Sequence, residues 1–270
     1  MKKFSKILSI VLTLSITLSS IFILNTKDSY AYSKKYVDNA RSGVTYSYDL
    51  DQNGKKEKIL CFIYTDEYGG YALDIYINNK LIKTYDDLEA IPCMSIYDFN
   101  KNDKSLDIYV DLIHESMYAD CHIIKYNKGT IKDYCFDGGL ISFDSNTGKI
   151  KLGQYFPSSN DKFIRSIGGY GVKVPYKVSK TSVKIISSST YSVTSCVRNH
   201  KYIASKNLTA YKTTNGKTKN FTIKKGAKFN IVALYKNGKK EYIKVKNSSG
   251  KYGYIKTQST PIVTNGFYVS

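Results

Sequence analysis

The chain has 270 residues and carries 41 Lys or Arg against 22 Asp or Glu, a formal net charge of +19. Tyr is abundant at 26, Pro is scarce at 4 and Trp is absent; with no long stretch of helical period, this composition argues against a helical bundle and favours short strands joined by polar turns. Five cysteines, Cys61, Cys93, Cys121, Cys135 and Cys196, form an odd set, which excludes complete internal pairing, and their scatter fits neither a disulfide framework nor a metal-ligand spacing.

Lys2, Lys3 and Lys6 precede a mostly apolar run from Ile7 to Leu24, and Ser29-Tyr30-Ala31 places small residues at the offsets of a cleavage site. Residues 1–31 read as a secretory signal peptide. An uncleaved membrane anchor is the alternative, because the run is nearly long enough to span a bilayer. Processing would leave 239 residues and no stable transmembrane segment, enough for one large or two modest domains.

The next segment repeats. Val44 to Asp49 alternates as a strand, an acidic loop D-L-D-Q-N-G-K-K-E follows from Asp49 to Glu57, and Lys58 to Thr65 resumes as a strand. Tyr68-Gly69-Gly70 and Asn78-Asn79 then turn the chain through two further strands. The same plan returns with Met94 to Asp98, the loop D-F-N-K-N-D-K-S-L-D from Asp98 to Asp107, Leu106 to Ile113, a turn near Glu115, Ala119 to Tyr126, and Asn127-Lys128-Gly129 before T-I-K-D-Y. A third unit begins at Leu140 to Asp144 with the reduced loop D-S-N-T-G, and Ser166 to Ser195 is consistent with further strands. Each unit is therefore about four strands with the acidic loop between the first two.

Oxygen ligands at alternate positions of a tight loop suit a hard cation such as calcium. In the first loop Asp49, Asp51 and Asn53 stand at positions 1, 3 and 5, the Lys55 carbonyl at 7 and Glu57 at 9, with Gly54 at 6 permitting the sharp turn. Position 12 is Leu60, where a helix-flanked calcium loop needs a bidentate Glu, so the context is strand rather than helix. In the second loop Asp98, Asn100 and Asn102 repeat the spacing, Lys104 offers its carbonyl and Asp107 closes from position 10. The competing reading is that Asp and Asn here only form turns. In an extracellular setting rich in calcium, even weak loops of this kind can be filled, which makes structural Ca2+ the expected cofactor.

The four-strand period and the residues Asp49, Asp51, Asn53, Gly54, Glu57, Asp98, Asn100, Asn102 and Asp107 resemble the FG-GAP or VCBS-type repeats of secreted proteins. The resemblance covers roughly residues 40–190 and implies a propeller-like array of about three four-stranded repeats with calcium in the loops. The segment departs from that family in lacking its F-G and G-A-P words, and three units are fewer than propellers usually close with.

From residue 197 onward 16 Lys or Arg face Glu241 alone, net +15, whereas residues 32–196 balance 21 basic against 20 acidic residues. Such a surface collects polyanions with an affinity that falls as salt rises; solubility alone is the plainer explanation. No arginine follows Arg198, which argues against base-specific nucleic-acid reading. The segment reads as about five short strands. Its Leu208, Tyr211, Ile223, Gly226, Tyr242, Val245, Gly250, Gly253, Tyr254 and Ile255 resemble the bacterial SH3 domains of exported wall-associated proteins. That resemblance covers about 200–258 and implies a small barrel that binds peptidoglycan or its peptide stems, with Tyr211 and Tyr254 as candidate ligand contacts. Tyr254 stands where the family commonly has Trp.

Catalytic signals are weak. His114, His122 and His200 lie in no recognisable catalytic motif, and Cys121 and His122, as neighbours on a strand, point to opposite faces. The sequence thus predicts an all-β protein divided as signal peptide 1–31, repeat module 32–196 and basic SH3-like module 197–270. It predicts a secreted, wall-associated, non-catalytic binding protein whose partners are peptidoglycan or anionic wall polymers. The alternatives are an accessory or inhibitor whose repeats grip a protein partner, and a hydrolase with an unrecognised site.

Overall fold

The computed structural model describes residues 35–67, 69–114, 119–154 and 162–266; the expected signal peptide and the turns at Tyr68 and Glu115 lie outside the described residues. The described chain is all-β, built from antiparallel sheets with two short helices. Strands β2 (Thr45–Tyr48), β3 (Glu57–Thr65), β4 (Tyr71–Ile77) and β5 (Lys80–Leu88) form a first four-stranded meander. Strands β6 (Cys93–Tyr97), β7 (Asp107–Ile113), β8 (Ala119–Asn127) and β9 (Thr130–Asp137) form a second, to whose edge β1 (Lys35–Val37) adds through β6. Strands β10 (Gly139–Asp144), β11 (Lys149–Gln154), β12 (Val172–Ser179) and β13 (Ser182–Ile185) form a third. No sheet closes on itself among the described residues.

Turn chemistry fixes these hairpins. Asn78 and Asn79 both take positive φ, 53° and 64°, between the paired residues Ile77 and Lys80; Lys128 and Gly129 do the same, 50° and 81°, between Asn127 and Thr130. Two-residue loops with both φ positive match the twist of the strands they join, which sets the register of each hairpin.

The sheets stack face to face, and the stacking explains the burial pattern. Met94, Ile96, Ile108, Val110, Leu112 and Ile124 of the second sheet share one core with Ile59, Cys61, Leu73 and Ile75 of the first. The opposite face of the second sheet, with Tyr97, Tyr109, Cys121 and Ile123, enters a second core with Phe143, Ile150 and Leu152 of the third. A strand buried on both faces reads as a nearly unbroken apolar run, and β7 is buried at Asp107, Ile108, Tyr109, Val110 and Leu112. β3 also looks continuous in sequence, yet Phe62 and Tyr64 stay 43 % and 44 % exposed because its sheet is the terminal layer.

Helix α1 (Lys162–Ile167) buries Phe163 and Ile167 beside the third sheet. Beyond it, β14 (Thr190–Ser192), helix α2 (Ser195–Asn199), β15 (Tyr202–Ile203), β16 (Leu208–Tyr211), β17 (Lys219–Ile223), β18 (Lys228–Asn237), β19 (Lys240–Asn247) and β20 (Tyr252–Lys256) build a seven-stranded sheet in the order β14-β18-β19-β20-β16-β17, with β15 also on β18. Its core residues, among them Tyr202, Phe229, Ile231, Ile243 and Val245, are continuous with those of the third sheet. Val172 bridges Val193, Thr194 N–H donates to Gly171 O at 2.8 Å, and Ile262 N–H donates to Ser166 O at 2.9 Å.

The second and third sheets also meet at a glycine. Gly148 has φ +62°, accepts Val178 N–H at 2.8 Å, and would place a Cβ 2.7 Å from Asn100 Cγ and 2.9 Å from Val178 O. Gly54, at φ +90°, has nothing within 4 Å of the same position. Gly148→Ala should therefore cost about 2–3 kcal/mol, lowering the melting temperature by about 5–10 °C, whereas Gly54→Ala should cost about 1 kcal/mol from backbone strain alone. Equal losses in thermal melts of the two variants would mean that the Asn100 contact contributes nothing.

Candidate functional site: acidic loops and a basic groove

The three acidic loops lie between the first two strands of their sheets and touch one another. Leu106 N–H donates to Leu50 O at 2.7 Å, and Lys101 N–H donates to Ser145 O at 3.1 Å. The loops are thus joints between layers as well as turns, and Asp51, Glu57, Asp98 and Asp107 are buried in the seam.

In the first loop Asp49 accepts N–H groups from Asn53 at 2.9 Å and Gly54 at 2.8 Å, and Asp51 accepts Lys128 N–H from the second sheet at 2.7 Å. Glu57, buried with Asp51, accepts Leu50 N–H at 2.8 Å. Burial pushes the Glu57 carboxyl above its ordinary range, with Asp51 and Asp49 adding to the rise and the Leu50 N–H opposing it. One oxygen from each of Asp49, Asp51 and Glu57 lies within 4.8 Å of the other two, a spacing that one cation could bridge. Asn53 is exposed, its side-chain oxygen taken by Lys55 N–H at 2.8 Å, and Lys55 is exposed too. Three of the five expected residues therefore converge through their side chains.

The second loop solves the same charge problem differently. Asn100 donates its amide to Val178 O at 3.0 Å and Asn102 donates to Asn146 O at 2.7 Å, so both amides reach into the third sheet. Lys104 takes the positive φ of 53° that turns the loop. Asp107, 1 % exposed, faces Lys125 directly across the β7–β8 register, with Nζ 2.5 Å from its carboxylate and 4.0 Å from that of Asp103. Burial pushes the Asp107 carboxyl up to about 7, against the pull of Lys125 and with Asp103 and Asp98 adding to it. An ammonium thus stands among the carboxylates where the loop pattern anticipates a metal. Sequence spacing missed Lys125 and Asp103. Pairing β7 with β8 back from the Asn127-Lys128-Gly129 turn would have set Lys125 opposite Asp107. In the third loop Asp144 accepts the Thr147 hydroxyl at 2.7 Å and Asn146 N–H at 3.0 Å, and the Thr147 hydrogen bond holds its carboxyl below the usual range.

Three of the C-terminal basic residues meet at a groove of about 540 Å³ lined by Arg198, Asn230, Lys244, Lys246 and Tyr252. A second hollow shares its Thr190, Ser192 and Arg198 and adds Lys151 and Lys173 from the third sheet. Neither hollow is lined by a carboxylate. Glu241 is buried and pairs with Lys236 at 3.4 Å. Tyr252 is 51 % exposed, with Lys244 and Lys246 Nζ at 5.7 and 5.6 Å from its ring centre. Tyr254 lies 5.8 Å from Lys244 Nζ and pairs in register with Tyr211, but neither tyrosine lines the groove. Tyr202 is fully buried against Phe229. Alternation along β19, which sets Lys244 and Lys246 on one face, was the available signal; the contribution of Lys151 and Lys173 required the docking of two sheets.

Removing the Lys125 ammonium should leave Asp103 and Asp107 without their countercharge. Lys125→Met is expected to cost about 3–5 kcal/mol in chelator, and calcium should raise its melting temperature by more than it raises that of the unsubstituted protein. An identical calcium response in the two would show that the second loop holds no latent cation pocket. Compared with protein-family models, with curated proteins and with solved structures, the chain matches none.

Proposed function

We propose that this is an exported, non-catalytic binding protein in which calcium at the first acidic loop stiffens a stack of repeat sheets and the basic groove holds the protein on peptidoglycan or anionic wall polymers. The observation that carries this reading is the run of five cations, Lys151, Lys173, Arg198, Lys244 and Lys246, along hollows lined by no carboxylate and floored by hydroxyl and amide groups. A fixed row of charges suits a polymer with repeated anionic groups, and an exposed Tyr252 ring offers a flat apolar face to a sugar ring. The resemblance of the C-terminal strands to wall-associated SH3 domains and of the acidic loops to secreted calcium repeats supports the same assignment, and favours reading the three meanders as blades of an open propeller.

The continuous core makes deletion of the C-terminal segment a poor test, because it would expose Val172 and Phe163 as well as remove charge. Substituting Arg198, Lys244 and Lys246 together by Gln should weaken sedimentation with purified cell walls about tenfold, or 1.4 kcal/mol. Wall binding of the unsubstituted protein should fall with added salt. Walls stripped of anionic polymers separate the two ligands: retained binding assigns peptidoglycan, lost binding assigns the polymer. Undiminished, salt-insensitive binding by the triple variant would remove the groove from the account.

Calcium binding at the first loop is read separately by melting. Calcium at about 100 times its dissociation constant should add about 2.7 kcal/mol, about 5–10 °C. Asp51→Asn keeps an acceptor for Lys128 N–H while removing the charge, and should lose most of that rise with little change in chelator. A full calcium shift in Asp51→Asn would place the ion elsewhere.

A further inference from the structure

A second cluster of metal-capable side chains lies away from both the loops and the groove. On the face of the second sheet that packs toward β5, Asp120 and His122 project from β8, and Cys135, directly opposite His122 in register, projects from β9. Their ligand atoms all fall within 4.8 Å of one another. Asp120 is the hub: one oxygen is 3.7 Å from Cys135 Sγ and 3.8 Å from His122 Nε2, and the other is 3.1 Å from His114 Nε2. Tetrahedral zinc with bonds of about 2.0–2.3 Å needs ligand atoms about 3.3–3.8 Å apart. The separations about Asp120 are close to that frame before any ion enters.

The histidine is already oriented from behind. His122 Nδ1 lies 2.7 Å from Asp133, whose other oxygen meets Lys83 Nζ at 2.9 Å and the Tyr85 hydroxyl at 3.4 Å. Burial raises the Asp133 carboxyl, but the hydrogen bonds and charges of His122 and Lys83 outweigh it and keep the group ionised. A carboxylate on Nδ1 fixes the proton there and presents the Nε2 lone pair to Asp120 and Cys135, the arrangement that supports a histidine bound to metal. The Tyr85 ring, 4.6 Å from the imidazole centre, holds its plane.

We propose that Asp120, His122 and Cys135 form a three-residue site, its fourth position open to solvent, for a borderline-soft divalent transition metal, zinc being the fitting class. A nucleophilic role for Cys135 fits less well, because burial and the Asp120 carboxylate push its thiol up to about 11, the reverse of an activated cysteine. Binding of a divalent ion would release the thiol proton. His122 is buried and Cys135 exposed, so the ligand set opens to solvent on one side and is anchored on the other. Nitrogen and sulfur donors distinguish it from the all-oxygen loop at Asp49 to Glu57.

The test is titration of the chelator-stripped full chain with Co2+, in excess calcium to fill oxygen sites. One equivalent should produce the intense visible bands of tetrahedral cobalt and a near-ultraviolet thiolate charge-transfer band, and zinc should abolish both. Cys135→Ser should remove the charge-transfer band and weaken binding at least about tenfold, with an unchanged circular dichroism spectrum, since the side chain is exposed. Asp133→Asn should keep the band and weaken binding by about 10–100-fold. A spectrum that remains that of hydrated cobalt, or a charge-transfer band that persists in Cys135→Ser, would overturn the assignment.

Discussion

A carboxylate carried into the seam between two stacked sheets loses its water and has to find a positive or hydrogen-bonding partner there, and that requirement organises one edge of this molecule. Stacking is imposed by the apolar faces: β6 and β7 of the second sheet are buried on both sides, so the ends of these strands that meet in the acidic loop are covered along with their middles. The acidic loops sit at those ends. Asp51 and Asp107 are each 1 % exposed, and Glu57 is 4 % exposed. Groups so placed cannot act as ordinary solvated turn formers, and their partners tie layer to layer: Asp51 takes Lys128 N–H from the second sheet, while Lys180 Nζ, from the third, donates to Asp51 O at 2.9 Å.

The same loop pattern meets its crowded charge in two ways. At the second loop the countercharge is internal, since β8 brings Lys125 across from Asp107 whenever the hairpin folds. Its cost is conformational, because a long flexible side chain is immobilised in the interior. At the first loop three carboxylates face one another with backbone N–H groups behind them, and the Lys180 ammonium meets the Asp51 carbonyl rather than a carboxylate. Backbone donors lower the repulsion without cancelling charge, so this loop keeps a geometry that could hold a cation where the second is occupied by an ammonium. Near-identical spacing in sequence therefore carries two different arrangements of charge.

Much of the fold was legible because it rests on local rules. The strand plan, the Asn78-Asn79 and Lys128-Gly129 turns and the placement of each acidic loop between first and second strands follow from alternation and turn residues alone. The readings that needed long-range pairing were out of reach. β1 joins the second sheet rather than the first, a choice made 60 residues away at Tyr97 and Ile96. The six-residue helix α1 is too short to show a period, and it forms because Phe163 and Ile167 find a core. The site residues follow the same division: Asp49, Asp51 and Glu57 were visible as a spacing, whereas Lys125 and the grouping of Asp120, His122 and Cys135 appear only once hairpin register is known.

Charge segregation in the sequence is real, but the fold redistributes it. The basic C-terminal strands share a core with the third sheet, so Lys151 and Lys173, from the electrically balanced half, come to stand beside Arg198, Lys244 and Lys246. A tail of lysines would attract any polyanion and lose entropy on each contact. On β11, β12 and β19, held by a common core, the backbone that carries the charges has already lost its freedom on folding. The spacing of those charges is therefore set by how the two sheets dock, and the Val172–Val193 bridge takes part in that docking at a distance from the groove's charges.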